Sequence, residues 1–571
     1  FSASDAVSTL EEAEQASVFE ELQLPEIRQL EASTLFTWLE KQSVPLAIAV
    51  GNGFAAFNGS ELVACTEIPR QWISSSASKI VFDFKNVRRS LLLDEVELVD
   101  VVADPLLETY LIDPLRRDYT LQKIAEDYLG FRNDESSEFS LSSSAWLTWL
   151  LHESLYQKLQ TTEQVEVFEK VELPTSKTLA DMEYTGVQVN RSRLELLSQE
   201  LSARIDQVQA EAFAIIGKEI NLSSPKQLQT VLFEDLGMTG TKSVKTGFST
   251  NAEALSTLFE QTGHPFLAKL LEHREVAKMR QMVEIILKGI ESDGRVHTSY
   301  VQTGTSTGRL SSENPNLQNI PIKSEIGKTI RDCFEVSPGF ETLLTADYSQ
   351  IEMRIMAHLS GDEGLIEAFN AGEDLHRFVG ARVFGVTPDA VTPAMRSKVK
   401  AMSYGLVYGL SEYGLAKQLK ISNGEAKQLM NDYFDRFGGV RTYLASVVDG
   451  AKLNGYTVTT FGRRRPFDDL KSPIFQIREN ARRAALNAPI QGTAADIMKL
   501  AMNNIANAMT AANFQSRMLL QVHDELVFEV APGELESLRE LVVSAMQNVV
   551  KLSVPLDVHV GVGKTWETAG H

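Results

Sequence analysis

Short apolar runs that end at an acidic residue are the clearest pattern in the chain. Asp347 follows the run TLLTA, and His523, Asp524 and Glu525 separate the runs MLLQV and LVFEV. Apolar runs of about five residues with polar residues at their ends predict buried strands. The first run therefore predicts a strand that ends at Asp347. The other two predict a hairpin with His523 and Asp524 at its tip.

A helix is predicted directly after the first strand. In SQIEMRIMAHL the apolar residues Ile351, Ile355 and Leu359 are four positions apart, which places them on one helical face. Ser349 and Glu352 have the spacing of a capping box, in which each side chain binds a backbone N–H of the other residue. We expect Glu352 to close this cap, and a second role of its carboxylate beside a ligand stays open.

The remaining pattern divides the chain into two unequal parts. Residues 1–165 alternate short apolar runs, such as VPLAIAV and KIVFDF, with helical stretches, and predict a small α/β domain. A Ser-rich patch, SSEFSLSSSAW, precedes a helical stretch that ends near Gln164. Residues 191–217 and 252–290 predict long helices, whereas SSPKQL (223–228) and GTKSVKTGFST predict loops.

Length and composition indicate a soluble protein of several domains. The 571 residues are too many for one core, and the apolar fraction of 43% is ordinary for a globular protein. Cys65 and Cys333 are the only cysteines, which excludes a disulfide framework and a cysteine-rich zinc site. No apolar run approaches the about 18 residues of a membrane span, so we expect no membrane partner and a cytoplasmic location. Because the chain begins at Phe1 without a basic-then-apolar leader, we expect a fragment or a processed chain without a secretion signal.

The net charge of −21 weakens a nucleic-acid partner but does not exclude one. Residues 1–165 hold 27 acids and 12 bases, whereas the other 406 residues hold 49 acids and 43 bases. The acidity is therefore concentrated in the N-terminal part. Nucleic acid responds to local clusters of charge rather than to the total.

Asp347 and Asp524 are candidates for a metal site. They are 177 positions apart, so only the fold can bring them together. Carboxylates at the ends of buried strands suit two-metal phosphoryl transfer, in which two Mg²⁺ ions about 4 Å apart bind the attacking and leaving oxygens. An acidic tip on a buried sheet also needs a partner, and a metal is the simplest one. The alternative is that each acid caps a turn, which is the usual role of a single Asp after a strand.

A second candidate is the helical stretch RSKVKAMSYGLVYG. Arg396, Lys400, Tyr404 and Tyr408 recur every four residues, and Arg396 and Tyr404 are about 12 Å apart along the axis. Because a four-residue step keeps them on one broad face, two cations followed by a ring match a triphosphate that continues into a sugar and base. The alternative is an exposed basic face with aromatic core residues. The paired carboxylates favour the nucleotide interpretation.

Two polar segments fit contacts to a duplex. TSTGRLSSENPNLQNIP contains Arg309 among hydroxyl and amide groups that suit phosphates and minor-groove base edges, although a plain polar loop has the same composition. RRAALNAPIQGTAADIMK places Arg483, Asn487 and Gln491 at four-residue spacing, where amides either follow a duplex or are solvated. The basic run FGRRRPF is weak support by itself.

Four segments together resemble family A DNA polymerases of the Klenow type. DYSQIEMR, RSKVKAMSYGLVYG and QVHDE occur in the order of that family, with TGRLSSENPNLQNIP ahead of them. The resemblance is strong over residues 166–571 and weak before them. It implies an α/β and α+β multidomain fold: an RNase H-like 3′–5′ exonuclease-like domain over residues 1–165, then a right-hand polymerase. The implied subdomains are a thumb at about 190–300, a palm at 301–352 and 478–571, and fingers at 353–477.

The resemblance also implies roles for individual residues. Asp347 and Asp524 hold two Mg²⁺ ions, with Mn²⁺ as a substitute, and Glu525 and Lys400 complete the catalytic group. The residues implied to contact the incoming nucleotide are Gln350, Glu352, His376, Arg396, Lys400, Tyr404 and Tyr408. The residues implied to contact primer–template DNA or the nascent pair are Arg309, Asn316, Gln318, Asn319, Arg483, Asn487, Gln491 and His523. Glu352 is the implied steric gate against a ribose 2′-OH, and Tyr408 the residue that stacks near the templating position.

The implied activity is template-directed addition of dNTPs to a primer 3′-OH by a monomer, in DNA repair and replication primer processing. One alternative is a single-subunit RNA polymerase, which the bulky acid Glu352 argues against. Another is a catalytically silent module that binds primer–template DNA, which the intact carboxylates and the cations of RSKVK argue against. Incorporation of rNTPs and extension of a primer distinguish these alternatives.

The chain departs from the family in two places. Tyr404 stands where most members have Phe, and its hydroxyl can replace a hydrogen bond of the substrate 3′-OH, so we predict weak discrimination against dideoxynucleotides. The exonuclease carboxylates are missing: PLAIAVGNG and SSSAWLTWLL contain no acid, and Val87 stands at a metal-binding position of DFKNVRRSL. We therefore expect an exonuclease-like domain without activity. The 5′ nuclease of full-length relatives would precede this chain, which lacks it.

Overall fold

The computed structural model describes residues 22–131, 139–238, 243–244, 247–372, 374–407 and 409–570. Helices predominate, and the strands form small mixed or antiparallel sheets. Within the described residues, no helix is long and apolar enough to cross a membrane.

A six-stranded sheet is the centre of the N-terminal part. Its strands are β1 (Ile27–Gln29), β2 (Leu46–Val50), β3 (Phe54–Phe57), β4 (Leu62–Cys65), β5 (Lys79–Val81) and β6 (Val101–Ala103). In space they follow the order β1-β4-β3-β2-β5-β6, in which β2, β3 and β4 pair antiparallel and the flanking pairs are parallel. The accompanying helices are α1 (Ala32–Glu40), α2 (Arg70–Ile73), α3 (Phe84–Leu93), α4 (Pro105–Ile112), α5 (Leu121–Leu129) and α6 (Leu141–Thr161). This part has the mixed α/β character that the alternating pattern predicts.

One predicted strand is shorter than its apolar run. KIVFDF continues as a strand only to Val81, and Phe84 already begins α3. The carboxylate of Asp104 accepts hydrogen bonds from the backbone N–H groups of Asp83 and Phe84 at 3.0 and 2.9 Å. These bonds fix the turn between strand and helix, in which Asp83 has a φ of 59°.

Long helices and short strands connect this sheet to the rest of the chain. They are α7 (Val165–Val167), a π-helical turn (Phe168–Glu172), α8 (Leu173–Thr185), β7 (Val187–Gln188), α9 (Arg191–Ile216), α10 (Pro225–Gln229), a second π-helical turn (Thr230–Asp235), β8 (Ser243–Val244), β9 (Gly247–Phe248), α11 (Ala252–Thr262), α12 (Pro265–Lys288) and β10 (Arg295–Val296). The helices α9 and α12 pack along each other.

The structure corrects three predictions in this region. The segment GTKSVKTGFST is not entirely a loop, because β8 and β9 within it pair as antiparallel strands. The segment SSPKQL is not a loop, because Ser224 caps the helix α10 and accepts a hydrogen bond from the N–H of Gln227. The single helix predicted over 252–290 is two helices. Gly263, with a φ of 62°, ends α11, and His264 caps α12.

A four-stranded sheet follows, in the spatial order β16-β17-β13-β18. Its strands are β13 (Thr342–Tyr348), β16 (Arg517–Val522), β17 (Glu525–Val530) and β18 (Val558–Gly563). The elements around it are β11 (Ser299–Val301), β12 (Ser311–Glu313), α13 (Glu325–Arg331), α14 (Ile351–Ser360), α22 (Leu535–Gln547) and α23 (Trp566–Ala569). The predicted strand, helix and hairpin around Asp347 and Asp524 are confirmed as β13, α14 and the β16–β17 pair.

Helices and one short strand pair form the part of the chain between α14 and β16. Its elements are α15 (Glu363–Asn370), α16 (Leu375–Phe384), a 3-10 turn (Pro388–Ala390), α17 (Pro393–Val407), α18 (Glu412–Leu419), α19 (Asn423–Arg436), α20 (Gly438–Asn454), β14 (Tyr456–Val458), β15 (Arg464–Pro466), a second 3-10 turn (Asp468–Lys471) and α21 (Phe475–Ala511). The helix α21 packs against α14 and so joins this helical part to the sheet that carries Asp347.

Candidate active site

The fold brings Asp347 and Asp524 to the same end of the four-stranded sheet. Asp347 lies opposite Glu525 in the antiparallel register of β13 and β17. Asp524 belongs to the two-residue turn between β16 and β17, where His523 has a φ of 55°. The backbone N–H of Tyr348 donates to the carbonyl of Asp524 at 3.1 Å, which fixes the turn against β13. The two segments predicted to meet are therefore adjacent.

The two aspartates are half-buried, and their surroundings shift the pKa of each carboxyl group. Burial, together with the charges of Asp524 and Glu525, raises the pKa of Asp347 to about 7. Burial also raises the pKa of Asp524, against the opposing charge of Arg309. Two like charges in a half-buried site disfavour ionisation of each other, and a divalent cation is a partner that stabilises both charged forms. The donor set of two carboxylates also suits Mg²⁺, which completes its octahedron with phosphate oxygens and water.

Glu525 is placed differently from the two aspartates. Its carboxylate accepts a hydrogen bond from the indole Nε1 of Trp566 at 2.7 Å, and Trp566 is buried. In the part of the chain that the structure describes, no group of three or more His, Cys, Asp and Glu side chains is arranged to hold a metal. The indole of Trp566 therefore holds one oxygen of the Glu525 carboxylate, while Glu525 stays close enough to Asp347 to raise its pKa.

The predicted capping box at the start of α14 is wrong. Gln350, with a φ of 54°, is the residue before the helix, and no side chain caps its N-terminus. Glu352 instead accepts a hydrogen bond from Nη2 of Arg309 at 2.5 Å, and only 6% of Glu352 is exposed. An ion pair with a residue 43 positions earlier in the chain therefore replaces the local cap.

One residue of the predicted face of α17, Tyr404, lies near these acids. Burial raises the pKa of the Tyr404 hydroxyl, and the charges of Glu352, Asp524 and Asp347 act in the same direction. The ammonium of Lys400 lies 6.0 Å from the centre of the Tyr404 ring. Tyr404 is thus close to the carboxylate pair. Tyr408, the next residue in the predicted row, lies outside the described residues.

Arg396 and His376 lie beside each other at the far end of this face. Arg396 donates through Nε and Nη2 to Asp374 at 3.0 and 2.7 Å, a partner that the sequence did not indicate. The His376 ring is 6.0 Å from the Tyr404 ring. Burial, with the nearby charges of Lys400 and Arg396, lowers the pKa of His376 to about 4 against the effect of Asp374. His376 is therefore neutral near pH 7.

Three residues predicted to contact a ligand have a buried polar atom without a hydrogen-bond partner among the described residues. These atoms are Oε1 of Gln350, Nδ1 of His376 and Oδ1 of Asn487. Buried polar atoms without a partner are uncommon and need an explanation. A polar ligand in the cleft would supply the missing partners.

The residues predicted to contact DNA fall into two groups. Arg309, Gln318 and His523 line one cavity with Asp524, together with Lys499 and Gln521. Gln318 donates to the side chain of Gln521 at 3.3 Å, which the sequence did not indicate. The other predicted residues lie on the turn after β12 and on α21, and they are Asn316, Asn319, Arg483, Asn487 and Gln491.

A buried ionic cluster is the main feature that sequence reasoning missed. Arg463 binds Asp496 at 2.6 Å and also pairs with Glu172, which in turn accepts from Lys499 at 2.6 Å. All four side chains are almost fully buried. Arg463 belongs to the run FGRRRPF, which in the sequence was only weak support for contacts to a duplex. Its position within the fold, and not its local sequence, makes it a core residue.

The N-terminal sheet does not gather carboxylates at the positions named in the sequence. Val87 is a half-buried residue of α3, packed against the apolar core. The nearby acids have structural partners: Asp104 accepts three backbone N–H groups, and Glu108 pairs with Nδ1 of His152 at 2.6 Å. The lack of exonuclease activity stays a prediction.

The chain is similar to known proteins of one family. The family model for DNA polymerase family A matches residues 191–568. The chain is 49% identical over 492 residues to DNA polymerase I of Mycobacterium tuberculosis, which covers 83% of this chain and 54% of that protein. It is 39% identical over 535 residues to DNA polymerase I of Bacillus subtilis, covering 90% of this chain and 61% of that protein. The chain therefore spans little more than half the length of these curated relatives.

A solved structure covers almost the whole chain. It is the POL domain of Pol1 from M. smegmatis in complex with DNA primer-template and dNTP. The two are 46% identical with a TM-score of 0.91, and the match covers 96% of this chain and 100% of that one.

Proposed function

The chain belongs to DNA polymerase family A, and we propose that it extends a primer on a DNA template by adding dNTPs to the primer 3′-OH. The observation that carries this proposal is the meeting of Asp347 and Asp524 at the end of one sheet, near Tyr404 of α17. The similar POL domain is a complex with DNA primer-template and dNTP, which supports the same two partners for this chain.

We assign the divalent cations to Asp347 and Asp524. Mg²⁺ bound there would lower the pKa of the attacking 3′-hydroxyl and neutralise the leaving pyrophosphate. The raised pKa values of both carboxylates support this assignment, because a cation is the group that stabilises their charged forms. Glu525 does not enter this pair in our account, because its carboxylate is bound to Trp566.

The residues of the fingers bind and orient the triphosphate. Lys400 supplies a charge to the phosphates, and Arg396 joins it when its guanidinium exchanges Asp374 for phosphate oxygens. His376 is neutral and offers a hydrogen bond rather than a charge. Positioning and electrostatic stabilisation of this kind carry most of the rate in phosphoryl transfer.

Glu352 selects the sugar in this account. Its carboxylate is buried near Tyr404, and Arg309 fixes its position. A rigid acid at this place leaves no room for a ribose 2′-OH. Tyr404 carries the phenolic hydroxyl that we expect to weaken discrimination against dideoxynucleotides.

We further propose that the N-terminal part is an exonuclease-like domain that has lost its activity. The order β4-β3-β2-β5-β6, with three antiparallel strands followed by parallel ones, supports an RNase H-like sheet. The partners of Asp104 and Glu108 leave these acids with structural roles. We also propose that the protein is a cytoplasmic monomer that acts in DNA repair and in the processing of replication primers.

Primer extension tests the proposed activity. A 5′-labelled primer on a longer template is incubated with dNTPs and Mg²⁺, then with EDTA, and then with rNTPs. We expect elongation that follows the template, stops with EDTA and is far weaker with rNTPs. Equal use of rNTPs would favour an RNA polymerase. Duplex binding without any elongation would favour a catalytically silent binding module.

A further inference from the structure

A tyrosine of the N-terminal part reaches into the loop that carries Arg309. Tyr110 lies on α4 and is 1% exposed. Its hydroxyl donates to the backbone carbonyl of Thr305 at 2.7 Å. Because α4 belongs to the N-terminal part and Thr305 belongs to the loop before β12, this bond connects two parts of the chain that are 195 positions apart. The N-terminal part therefore holds one end of the loop.

A hydrogen bond within the loop connects Thr305 to Arg309. The hydroxyl of Thr305 donates to the carbonyl of Arg309 at 2.7 Å, which closes the turn between them. Gly308, with a φ of 91°, lets the backbone turn there. A Cβ atom at Gly308 would lie 2.7 Å from Nε of Arg463, so the loop lies directly on the buried guanidinium. The position of Arg309 is thus set by Tyr110 and Arg463 together.

Arg309 in turn holds the carboxylate of Glu352. Its Nη2 donates to Oε1 of Glu352 at 2.5 Å. The guanidinium of Arg463 lies 5.8 Å from the ring of Tyr110 and is fixed by Asp496 and Glu172. A continuous set of contacts therefore runs from Tyr110 through the loop to Glu352.

We propose that Tyr110 is a positioning residue for sugar selection, so that the N-terminal domain contributes to substrate choice without touching the substrate. This inference rests on the proposed function, in which Glu352 excludes the ribose 2′-OH. Loss of the Tyr110 hydroxyl frees the Thr305 end of the loop, and Arg309 then holds Glu352 in a wider range of positions. A less fixed gate admits ribonucleotides more often.

The chain offers a matched control. Tyr119 lies in the same part, and its ring is 6.1 Å from that of Tyr110. Its hydroxyl donates to the carbonyl of Asp113 at 2.8 Å, which is a bond within the N-terminal part. Tyr119→Phe therefore removes the same group from the same domain without releasing the loop.

The test compares kcat/KM for a dNTP and the matching rNTP in Tyr110→Phe, Thr305→Val and Tyr119→Phe, with the thermal midpoint of each variant. We expect the dNTP preference to fall about threefold to tenfold in Tyr110→Phe and Thr305→Val, the range for loss of one buried hydrogen bond. Tyr119→Phe should keep the parental preference even if its thermal midpoint falls as much. In a Glu352→Ala background, Tyr110→Phe should have no further effect on the preference.

Two results separate the failure of this inference from the failure of the proposed function. A parental dNTP preference in both Tyr110→Phe and Thr305→Val would overturn the inference while the polymerase assignment stands. A parent protein that elongates no primer would overturn the proposed function itself.

Discussion

Asp347 and Glu525 are paired residues on neighbouring antiparallel strands, yet only one of the two carboxylates has an indole partner: Trp566 donates to Glu525 at 2.7 Å. Burial and two neighbouring negative charges raise the pKa of Asp347 to about 7. Adjacent acids of one sheet therefore have different environments. In our account the aspartate serves the chemistry, and the glutamate is part of the wall beside it.

This difference predicts unequal effects of removing each charge. Glu525→Gln keeps an acceptor for Trp566 and should lower kcat by about tenfold or less, the effect of one altered hydrogen bond. Trp566→Phe should have a similarly small effect on kcat but should lower the thermal midpoint, because the indole is buried against Phe334 and Arg331. Steady-state extension and thermal unfolding measure both. A loss of activity in Glu525→Gln as large as that in an Asp347 variant would contradict the separation.

The buried cluster around Glu172 predicts a large loss of stability. Glu172→Gln leaves Lys499 and Arg463 without their shared acid, and breaking a buried pair in this way costs about 3 to 5 kcal/mol. Urea unfolding at pH 7 measures the change. Glu166→Gln is the control, because that acid pairs with Lys170 on the surface and should contribute less than about 1 kcal/mol. Equal effects of the two substitutions would argue against a structural role of the cluster.

Glu172 also makes the free energy of unfolding depend on pH in the acidic range. Burial alone would raise the pKa of Glu172, but Lys499 and Arg463 outweigh it and lower the pKa to about 2. Because the folded value lies below the unfolded one, the stabilisation is complete above about pH 4.5 and is lost as the pH falls toward 2. The free energy of unfolding of the parent should therefore fall between pH 4.5 and 2 more steeply than that of Glu172→Gln. Parallel curves would contradict the prediction.

We predict that Tyr404 controls the discrimination between a dNTP and the matching dideoxynucleotide. Tyr404→Phe should raise the preference for a dNTP over the matching dideoxynucleotide by at least about tenfold, because the phenolic hydroxyl no longer replaces the substrate 3′-OH. Single-nucleotide incorporation with each substrate measures the ratio. Tyr413→Phe, at a residue of α18 that is 70% exposed, should leave the ratio unchanged. An unchanged ratio in Tyr404→Phe would remove this residue from sugar recognition.

We predict that the protein does not shorten a primer with a mismatched 3′ end, because we expect its N-terminal part to have no exonuclease activity. A 5′-labelled primer with a mismatched 3′ end, incubated with Mg²⁺ and without dNTPs, should keep its length. The missing acids are the physical reason, since PLAIAVGNG and SSSAWLTWLL contain none and Val87 stands where the family has a metal-binding acid. Metal-dependent trimming that persists in an Asp347→Asn variant would show an active exonuclease site in the N-terminal domain.

Local patterns in the sequence predicted most of the elements that form the candidate site. The apolar runs before Asp347 and on both sides of Asp524 form the strands β13, β16 and β17. The four-residue spacing of Arg396, Lys400 and Tyr404 predicted the helix α17. These elements were predictable because each has one buried face with a regular period. The break between α11 and α12 had a local signal as well. Glycine is common at the end of a helix and proline at its first position, and Gly263 and Pro265 occupy these two places.

Contacts between distant segments could not be predicted from local patterns. Glu352 has the spacing of a capping box with Ser349, but the guanidinium of Arg309 binds its carboxylate more favourably than a backbone N–H would. Arg463 and Lys499 resemble surface residues in the sequence, and only the tertiary fold places Glu172 and Asp496 beside them. The partners of Glu525 and Arg396 were unpredictable for the same reason.

The most direct test of the central claim is single-turnover incorporation of one dNTP by the parent, Asp347→Asn and Asp524→Asn, with the affinity of each for primer–template DNA measured in parallel. If the two carboxylates hold the catalytic cations, each substitution should lower the incorporation rate by at least about 10³-fold while DNA affinity changes little. Rates within about tenfold of the parent in either variant would contradict the assignment of Asp347 and Asp524 as the metal ligands.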